Sequence, residues 1–171
     1  MSQRPSKEEY NAYYEQYIGL MGEMDIIDAL EAQLESTRSL LVSVTEEQGN
    51  YRYAAGKWSL KEVIGHISDN ERVMSYRLLR AARGDKTQLP GYEQDHFIQG
   101  SSFHDWSMEQ TIEDYRSVRR ATLTLLRGLS DEAWTRLGAA NNSNISVRAL
   151  AYIIAGHELH HMRFIQERYL Q

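Results

Sequence analysis

The chain has 171 residues, no cysteine and a formal net charge of −5 at pH 7. A chain of this length predicts one domain, residues 1–171, with a core of ordinary size. The lack of cysteine excludes disulfides, thiolate metal ligands and a cysteine nucleophile, so any metal must be held by imidazole or carboxylate groups. The negative charge argues against a protein that binds nucleic acid through its phosphates.

Neither an export signal nor a membrane segment is predicted. The first nine residues are charged and lack the apolar run of a signal peptide. The longest uncharged apolar run, residues 149–156, is far too short to cross a bilayer. We therefore expect a cytoplasmic protein without a membrane partner.

Long amphipathic helices dominate the predicted secondary structure. The only two prolines, Pro5 and Pro90, lie outside the periodic segments, and no strand is predicted because β-branched alternation is nearly absent. Apolar stripes with helical spacing predict four long helices and one short helix between the third and fourth: about 23–47, 59–83, 107–129, 130–137 and 146–169. The third long helix carries three arginines that are predicted to form a solvated face: Arg116, Arg119 and Arg120.

The segments outside these helices complete the predicted architecture. An N-terminal arm over about 6–19 opens with a capping box and carries four tyrosines, which are expected to pack on the outside of the domain with their hydroxyls in water. The connection 84–106 is long enough to fold over a site, and His96 and His104 within it are predicted to be ordinary loop residues. The pattern predicts an all-α four-helix bundle with a long crossover between helices 2 and 3 and an N-terminal helical arm.

The fourth long helix contains a histidine-rich stretch, Gly156-His157-Glu158-Leu159-His160-His161. Each helical residue advances ~100°, so His157 and His161 project from nearly the same face. That face is predicted to be buried because it also carries apolar residues: Leu150, Ile153, Ile154, Phe164 and Ile165. Two buried imidazoles need partners, and either hydrogen bonds to other helices or a shared divalent metal could supply them.

A third histidine favours the metal. His66 lies on the inward face of the second helix together with Asn70 and Arg77, which are too polar for a dry core and predict a polar cavity beneath them. If the second and fourth helices are neighbours, His66, His157 and His161 can converge. Three neutral imidazoles suit Zn²⁺, Ni²⁺ or Fe²⁺ and leave a coordination position open for water or substrate.

Two other motifs overlap the same residues. His157-Glu158-x-x-His161 satisfies the zincin pattern with Glu158 as general base, but too little chain follows for the third ligand and no protease strands are predicted. Glu158 is also expected toward the flank of the buried stripe. Together with Glu93-x-x-His96, the segment Glu158-x-x-His161 imitates a di-iron bundle, but Glu93 lies in the crossover rather than on a helix. The sequence therefore favours neither a zincin protease nor a di-iron bundle.

These residues resemble the DinB-like superfamily of metal-binding four-helix bundles. The resemblance is carried by the tryptophan-led stretch 56–72, Gly-Lys-Trp-Ser-Leu-Lys-Glu-Val-Ile-Gly-His-Ile-x-Asp-x-Glu-Arg, and by 156–161, and it spans essentially the whole chain. It implies that the metal ligands are His66, His157 and His161, the same three that the helix faces select.

The resemblance also implies chemistry. Characterised relatives include bacillithiol S-transferases and mycothiol-dependent maleylpyruvate isomerase, in which a thiolate held at the metal is the proposed nucleophile. Others are named only as metal-dependent hydrolases, and many members are homodimers. We therefore expect a divalent metal, zinc or nickel first, with a low-molecular-weight thiol as a further co-substrate, and a homodimer.

The leading functional hypothesis is a metal-dependent thiol S-transferase. The thiol would attack a small-molecule electrophile in the cavity lined by Asn70 and Arg77, with His160 as a further substrate contact. The first alternative is a hydrolase in which water replaces the thiol. The second is a non-catalytic bundle that binds a metal or small ligand. No residue beyond the metal ligands is predicted to be catalytic.

Overall fold

The computed structural model describes residues 3–170. In the arm, two 3₁₀ turns, Lys7–Glu9 and Ala12–Tyr14, lead into the first short α-helix. In chain order, the α-helices are α1 (Glu15–Ile18), α2 (Ile26–Val42), α3 (Glu46–Asn50), α4 (Leu60–Ala82), α5 (Gln94–Gln99), α6 (Met108–Arg127) and α7 (Val147–Arg168). The helix predicted at 130–137 is a 3₁₀ helix, Asp131–Thr135.

The four long helices α2, α4, α6 and α7 form the bundle. Helix α2 packs against α6 and α7, and α4 packs against the same two helices, which places α2 opposite α4. The predicted four-helix bundle is confirmed, and the segment between α4 and α6 is the predicted long crossover. Within residues 3–170, no helix combines the length and the apolarity that crossing a membrane requires.

Local caps fix where three of the bundle helices begin. Ser59 and Glu62 form a capping box at the start of α4, and Ser107 and Gln110 form one at the start of α6. Ser146 accepts a hydrogen bond from the backbone of the first turn of α7. These three predicted starts are confirmed, because side chains of this type satisfy the free N–H groups of a first turn.

Helix α2 is shorter than the predicted 23–47. It ends at Val42, and a new capping box between Thr45 and Gln48 starts α3. In this box, the Thr45 hydroxyl accepts from the Gln48 N–H at 3.2 Å, and the Gln48 side chain accepts from the Thr45 N–H at 2.9 Å. These side-chain hydrogen bonds compete with the backbone hydrogen bonds of a continuous helix, and the chain adopts the capping box instead.

A small three-stranded sheet corrects the prediction that the chain has no strand. The strands are β1 (Gln88–Leu89), β2 (Leu137–Ala140) and β3 (Ser143–Ser146), with β1 parallel to β2 and β2 antiparallel to β3. Asn141 and Asn142 connect β2 to β3 with φ values of 50° and 58°, as a two-residue hairpin with two left-handed positions requires. The Asn141 N–H donates to the Leu89 carbonyl at 2.9 Å, so the sheet anchors the crossover to the end of the bundle.

The N-terminal arm is tied to α7 at two points. The Glu9 carboxylate pairs with Arg148 at 2.5 Å. Further along α7, a Cβ on Gly156 would lie 2.2 Å from the Tyr17 carbonyl oxygen. Only glycine therefore allows the arm to approach the helix this closely.

The expectation that the arm tyrosines keep their hydroxyls in water is wrong for Tyr10. Tyr10 is buried and donates to the Glu15 carboxylate at 2.7 Å. Tyr14 and Tyr17 are half-buried, and only Tyr13 is well exposed. The arm therefore forms part of the wall of the domain interior and does not merely pack on the outside of the domain.

The largest correction concerns Arg119, which was predicted on a solvated face and is 0% exposed. Its guanidinium donates to the carboxylates of Glu71 on α4, at 2.8 Å, and Glu158 on α7, and to the Leu30 carbonyl on α2 at 3.1 Å. Of the other two arginines predicted on that face, Arg116 is half-buried and Arg120 is exposed. One side chain of α6 thus hydrogen-bonds to all three other helices of the bundle.

This polar layer divides the core in two. One apolar cluster includes Leu30, Met74, Leu123 and Ile154, and the other includes Leu41, Ile67, Tyr115 and Met162. Glu71 in α4, Arg119 in α6 and Glu158 in α7 each lie, in sequence, between buried residues of one apolar cluster and those of the other. We call Glu71, Arg119 and Glu158, with Thr37 and Tyr115, the arginine cluster.

Candidate metal centre

Three histidine side chains meet inside the bundle between α4 and α7. The Nε2 atom of His157 lies 3.1 Å from Nε2 of His66 and 3.1 Å from Nε2 of His161. The ligand atoms of all three lie within 4.8 Å of one another, and His66 and His157 are buried whereas His161 is half-buried. The structure thus brings together the three residues that the sequence selected. We call them the histidine cluster.

Hydrogen bonds alone do not account for this arrangement. An imidazole nitrogen carries either one proton or one lone pair, so Nε2 of His157 can make one good hydrogen bond. It has two neighbouring nitrogens at the same distance, 3.1 Å. Two nitrogens that share a tetrahedral ion at ~2.0–2.1 Å lie ~3.3 Å apart, which agrees with both contacts. The donor set fits a divalent cation.

Burial keeps these imidazoles neutral. Desolvation lowers the pKa of His66 to about 4, against a small opposing effect of Asp95. Desolvation and the neighbouring histidines lower the pKa of His161 to about 3 and hold that of His157 well below its ordinary value. Neutral imidazoles are the form that binds metal ions. No carboxylate of residues 3–170 joins the group.

Glu158 faces away from the histidines, although it follows His157 directly. Its Oε1 accepts from the hydroxyls of Thr37 and Tyr115, each at 2.6 Å, and its Oε2 accepts from Arg119. It lies off the face of the histidines, as expected, but it is 1% exposed, so the buried part of α7 extends beyond the predicted stripe. The zincin arrangement is therefore left without a base at the histidines.

A cavity of about 570 Å³ adjoins His157. Asn70 and Arg77 of α4 form one wall, as the sequence predicts, and Tyr17 of the arm and Tyr92 of the crossover form others. His96, predicted to be an ordinary loop residue, also lines it. We call this space the polar cavity.

A second cavity, of about 370 Å³, adjoins His161. Its walls include four aromatic side chains, and we call it the aromatic cavity: Tyr53, Trp58, Phe164 and Tyr169. His160, the third predicted substrate contact, is exposed and lies here with Lys57 and Asp95. The structure therefore separates His160 from Asn70 and Arg77.

Sequence reasoning missed two aromatic contacts of the histidine cluster. The Tyr17 ring meets His157 edge-on, with centroids 5.3 Å apart, and the Trp58 ring lies 5.1 Å from that of His66. Trp58 could have been found, because it stands directly before the cap of the helix that carries His66. The only local sign of Tyr17 is Gly156, a glycine without an obvious reason inside a long helix.

Fold and site together define a four-helix bundle with an interior group of three neutral histidines and cavities beside it. The chain belongs to the DinB superfamily, whose sequence profile matches residues 29–165.

Similar proteins agree with this assignment. A protein of Oceanobacillus iheyensis, named provisionally as a metal-dependent hydrolase, is 25% identical over 126 residues, which cover 72% of each chain. YfiT from Bacillus subtilis, described as a probable metal-dependent hydrolase with an unusual four-helix bundle topology, aligns with a TM-score of 0.69 and 16% identity over 97% of this chain and 91% of its own. Mycothiol-dependent maleylpyruvate isomerase aligns with a TM-score of 0.66 and 11% identity over 85% of this chain and 61% of its own. At these identities, the two structural matches establish the fold alone.

Proposed function

We propose that the protein is a metal-dependent enzyme that holds one divalent ion through His66, His157 and His161. Zinc and nickel are the preferred candidates for this ion. The observation that carries this proposal is the pair of 3.1 Å contacts made by a single nitrogen of His157. When bound, such an ion supplies an open coordination position at which a water or thiol loses its proton near neutral pH.

The reaction that we favour is the transfer of a low-molecular-weight thiol to a small electrophile. A water nucleophile occupies only about 30 Å³, whereas the polar cavity beside His157 offers about 570 Å³. The aromatic cavity beside His161 offers a further 370 Å³ or so. Two reactants can therefore be held next to the same three histidines, as a transfer reaction requires.

In this proposal the chain's own residues bind and shield the reactants. Asn70 and Arg77 contact the molecule in the polar cavity, and Tyr17 packs on His157 and limits the movement of its ring. His160 is proposed to contact the reactant in the aromatic cavity. With a halogenated aromatic as electrophile, a carbon–sulfur bond forms, the carbon–halogen bond breaks, the halide leaves and the thiol proton goes to solvent.

The second candidate is a metal-dependent hydrolase. It is favoured by the names of the Oceanobacillus relative and of YfiT, both of which refer to metal-dependent hydrolysis. In this case, water is the nucleophile and the two cavities accommodate parts of one substrate.

The metal assignment is tested by native mass spectrometry and elemental analysis of protein purified without chelators. We expect close to one divalent ion per chain in the wild type and none in His157→Ala or His161→Ala, with helical circular dichroism retained. His104→Ala, in the exposed part of the crossover, is the control and should keep its metal. Wild-type metal content in both cluster variants would contradict the proposal. The same spectra report the oligomeric state, for which a homodimer remains our prediction.

The reaction is tested by incubating the metal-loaded protein with 1-chloro-2,4-dinitrobenzene, with and without a low-molecular-weight thiol, and with a panel of esters and amides. Thiol-dependent release of chloride that is absent in His157→Ala supports S-transfer. Thiol-independent hydrolysis of an ester or amide overturns S-transfer in favour of the second candidate. Metal and ligand binding without turnover of any substrate would contradict both and indicate a binding protein.

A further inference from the structure

Arg77 is a buried cation without an anion. It is 5% exposed, its Nη2 donates to the Pro90 carbonyl at 2.7 Å, and its Nη1 lies 3.6 Å from the sulfur of Met74. No carboxylate within residues 3–170 forms an ion pair with it, whereas the fully buried Arg119 has two. Buried charges are normally paired because desolvation is costly. The missing anion is therefore expected from outside the chain.

Asn70 lacks a partner in the same cavity. Its Nδ2 donates to the Tyr92 hydroxyl at 2.6 Å, but its buried Oδ1 has no hydrogen-bond partner. Buried amide oxygens without a donor are rare in folded proteins. The polar cavity thus contains one acceptor without a donor, at Asn70, and one guanidinium without an ion-pair partner, at Arg77, both on α4.

The spacing along α4 sets the size of the missing molecule. Asn70 and Arg77 follow His66 by four and eleven residues, or ~6 and ~16 Å along the helix axis. Helical side chains lean toward the N-terminus, so Arg77 reaches back along the cavity toward His66. After allowance for the arginine side chain, ~10 Å remain between guanidinium and histidines, about the length of three extended residues.

We propose that the polar cavity binds an extended small molecule that places a carboxylate on Arg77, an N–H or O–H donor on the Asn70 carbonyl, and its opposite end at the histidine cluster. The proposal deepens the proposed function, because it names the chemical class of one reactant. It rests on that function only for the end at the histidines.

A carboxylate fits the cavity better than a phosphate does. Among residues 3–170, Arg77 is the one guanidinium in the lining, and it can pair with one carboxylate. Glu93 lines the same cavity and adds negative charge, which disfavours a dianion. The planar fork of a guanidinium also matches a carboxylate with two parallel hydrogen bonds.

The carboxylate site is tested by calorimetry on the protein as purified, with S-methylglutathione and its diamide as probes. Both are extended over about three residues and carry N–H donors, and the methylated sulfur keeps a free thiol from binding a metal. We expect the acid to bind about tenfold or more tightly than the diamide, as the loss of a charge-assisted hydrogen bond implies. Equal affinities, or no binding of the acid, would overturn the proposal. Tighter binding of inorganic phosphate than of the acid would overturn the choice of carboxylate.

Substitution locates the site. Arg77→Met should bind acid and diamide equally and keep its metal, and its melting temperature should not fall, because the change removes an uncompensated buried charge. Arg83→Met, an exposed arginine at the end of the same helix, should retain the preference for the acid. A preference for the acid in Arg77→Met would contradict the proposal.

The two proposals can fail separately. Loss of the metal assignment shows in metal content, whereas loss of the carboxylate site shows in the comparison of acid with diamide. That comparison needs only the wild-type protein, so equal affinities for acid and diamide would overturn the carboxylate site even if Arg77→Met does not fold.

Discussion

The histidine cluster and the arginine cluster are two buried polar groups built on the same helices, α4 and α7, and they differ in completeness. In the arginine cluster, one guanidinium donates to two carboxylates, and Thr37 and Tyr115 donate to one of these. In the histidine cluster, three neutral imidazoles turn their nitrogens toward one another, and a hydrogen bond can satisfy only one of the two contacts made by Nε2 of His157. One group is completed by the chain, and the other lacks a partner.

The contrast separates structural from functional burial. His157 and Glu158 are neighbours in sequence, but a helix turns them ~100° apart, so they enter different groups. A buried polar group whose partners all come from the chain is accounted for by its contribution to the stability of the fold. A group that remains incomplete points to a ligand, and Arg77 and Asn70 repeat that pattern in the polar cavity.

The largest predicted effect is on the complete cluster. Arg119→Met leaves Glu71 and Glu158 buried without their cation, and we expect a loss of about 3–5 kcal/mol in the free energy of unfolding. The measurement is urea denaturation of metal-free protein. Arg120→Met, an exposed neighbour on the same helix, should change stability by less than about 0.5 kcal/mol. Equal stabilities of the two variants would show that the cluster contributes nothing to the fold.

Metal removal should affect only the incomplete cluster. At a free metal concentration about one hundred times Kd, binding to the native state adds about 2.7 kcal/mol to wild-type stability. A chelator should remove this increment from the wild type and change nothing in His157→Ala. The experiment compares melting curves with metal and with chelator. A chelator effect that survives in His157→Ala would place the metal elsewhere.

The contact between arm and α7 gives a smaller effect. Alanine is about 1 kcal/mol better than glycine within an ordinary helix, but a Cβ on Gly156 would lie 2.2 Å from the Tyr17 carbonyl oxygen. We therefore expect Gly156→Ala to lose about 1–3 kcal/mol through displacement of the arm, and to loosen the packing of Tyr17 on His157. Gly22→Ala, where a Cβ would meet nothing within 4 Å, is the control in the same denaturation assay. A stabilised Gly156→Ala variant would contradict the close approach.

The smallest predicted effect is a pH dependence at the other end of the arm. Partial burial opposes ionisation of Glu9, but hydrogen bonds from Arg148 and Ser6 and the Arg148 charge still lower its pKa from 4.5 to about 2. A lowered carboxylate pKa stabilises the fold above pH 4.5, and this contribution is lost as the pH falls toward 2. Glu9→Gln should therefore cost up to about 1 kcal/mol at neutral pH, with a difference from wild type that shrinks across this interval. A difference independent of pH would exclude the ion pair as its cause.

The sequence predicts the parts of this molecule that depend on local patterns. Helix starts follow from caps such as Ser59 and Ser107. The meeting of His66 with His157 and His161 follows from helix faces once the second and fourth helices are taken as neighbours. Arg119 was missed, although it lies four residues after the buried Tyr115, because its partners Glu71 and Glu158 belong to other helices. A charged residue on a buried face has no local sign of its counterions.

The remaining misses have the same cause. Strands β1 and β2 pair over about fifty residues of chain. β1 has only two residues, and β2 is short and consists mostly of glycine and alanine, so neither shows a strand pattern. The approach of Tyr17 to α7 is likewise a contact between the two ends of the chain. No periodicity within either segment reports it.

Glu71 and Glu158 share a single guanidinium, so the arginine cluster carries one more formal negative charge than positive. This surplus is enclosed in the bundle, where attraction between charges is less weakened than in water. In the proposed site, a bound cation would have uncharged ligands, and the carboxylate of Glu158, on the residue after His157, would attract it through the protein interior. The helix that positions the imidazoles would then also carry part of the counter-charge for the proposed ion.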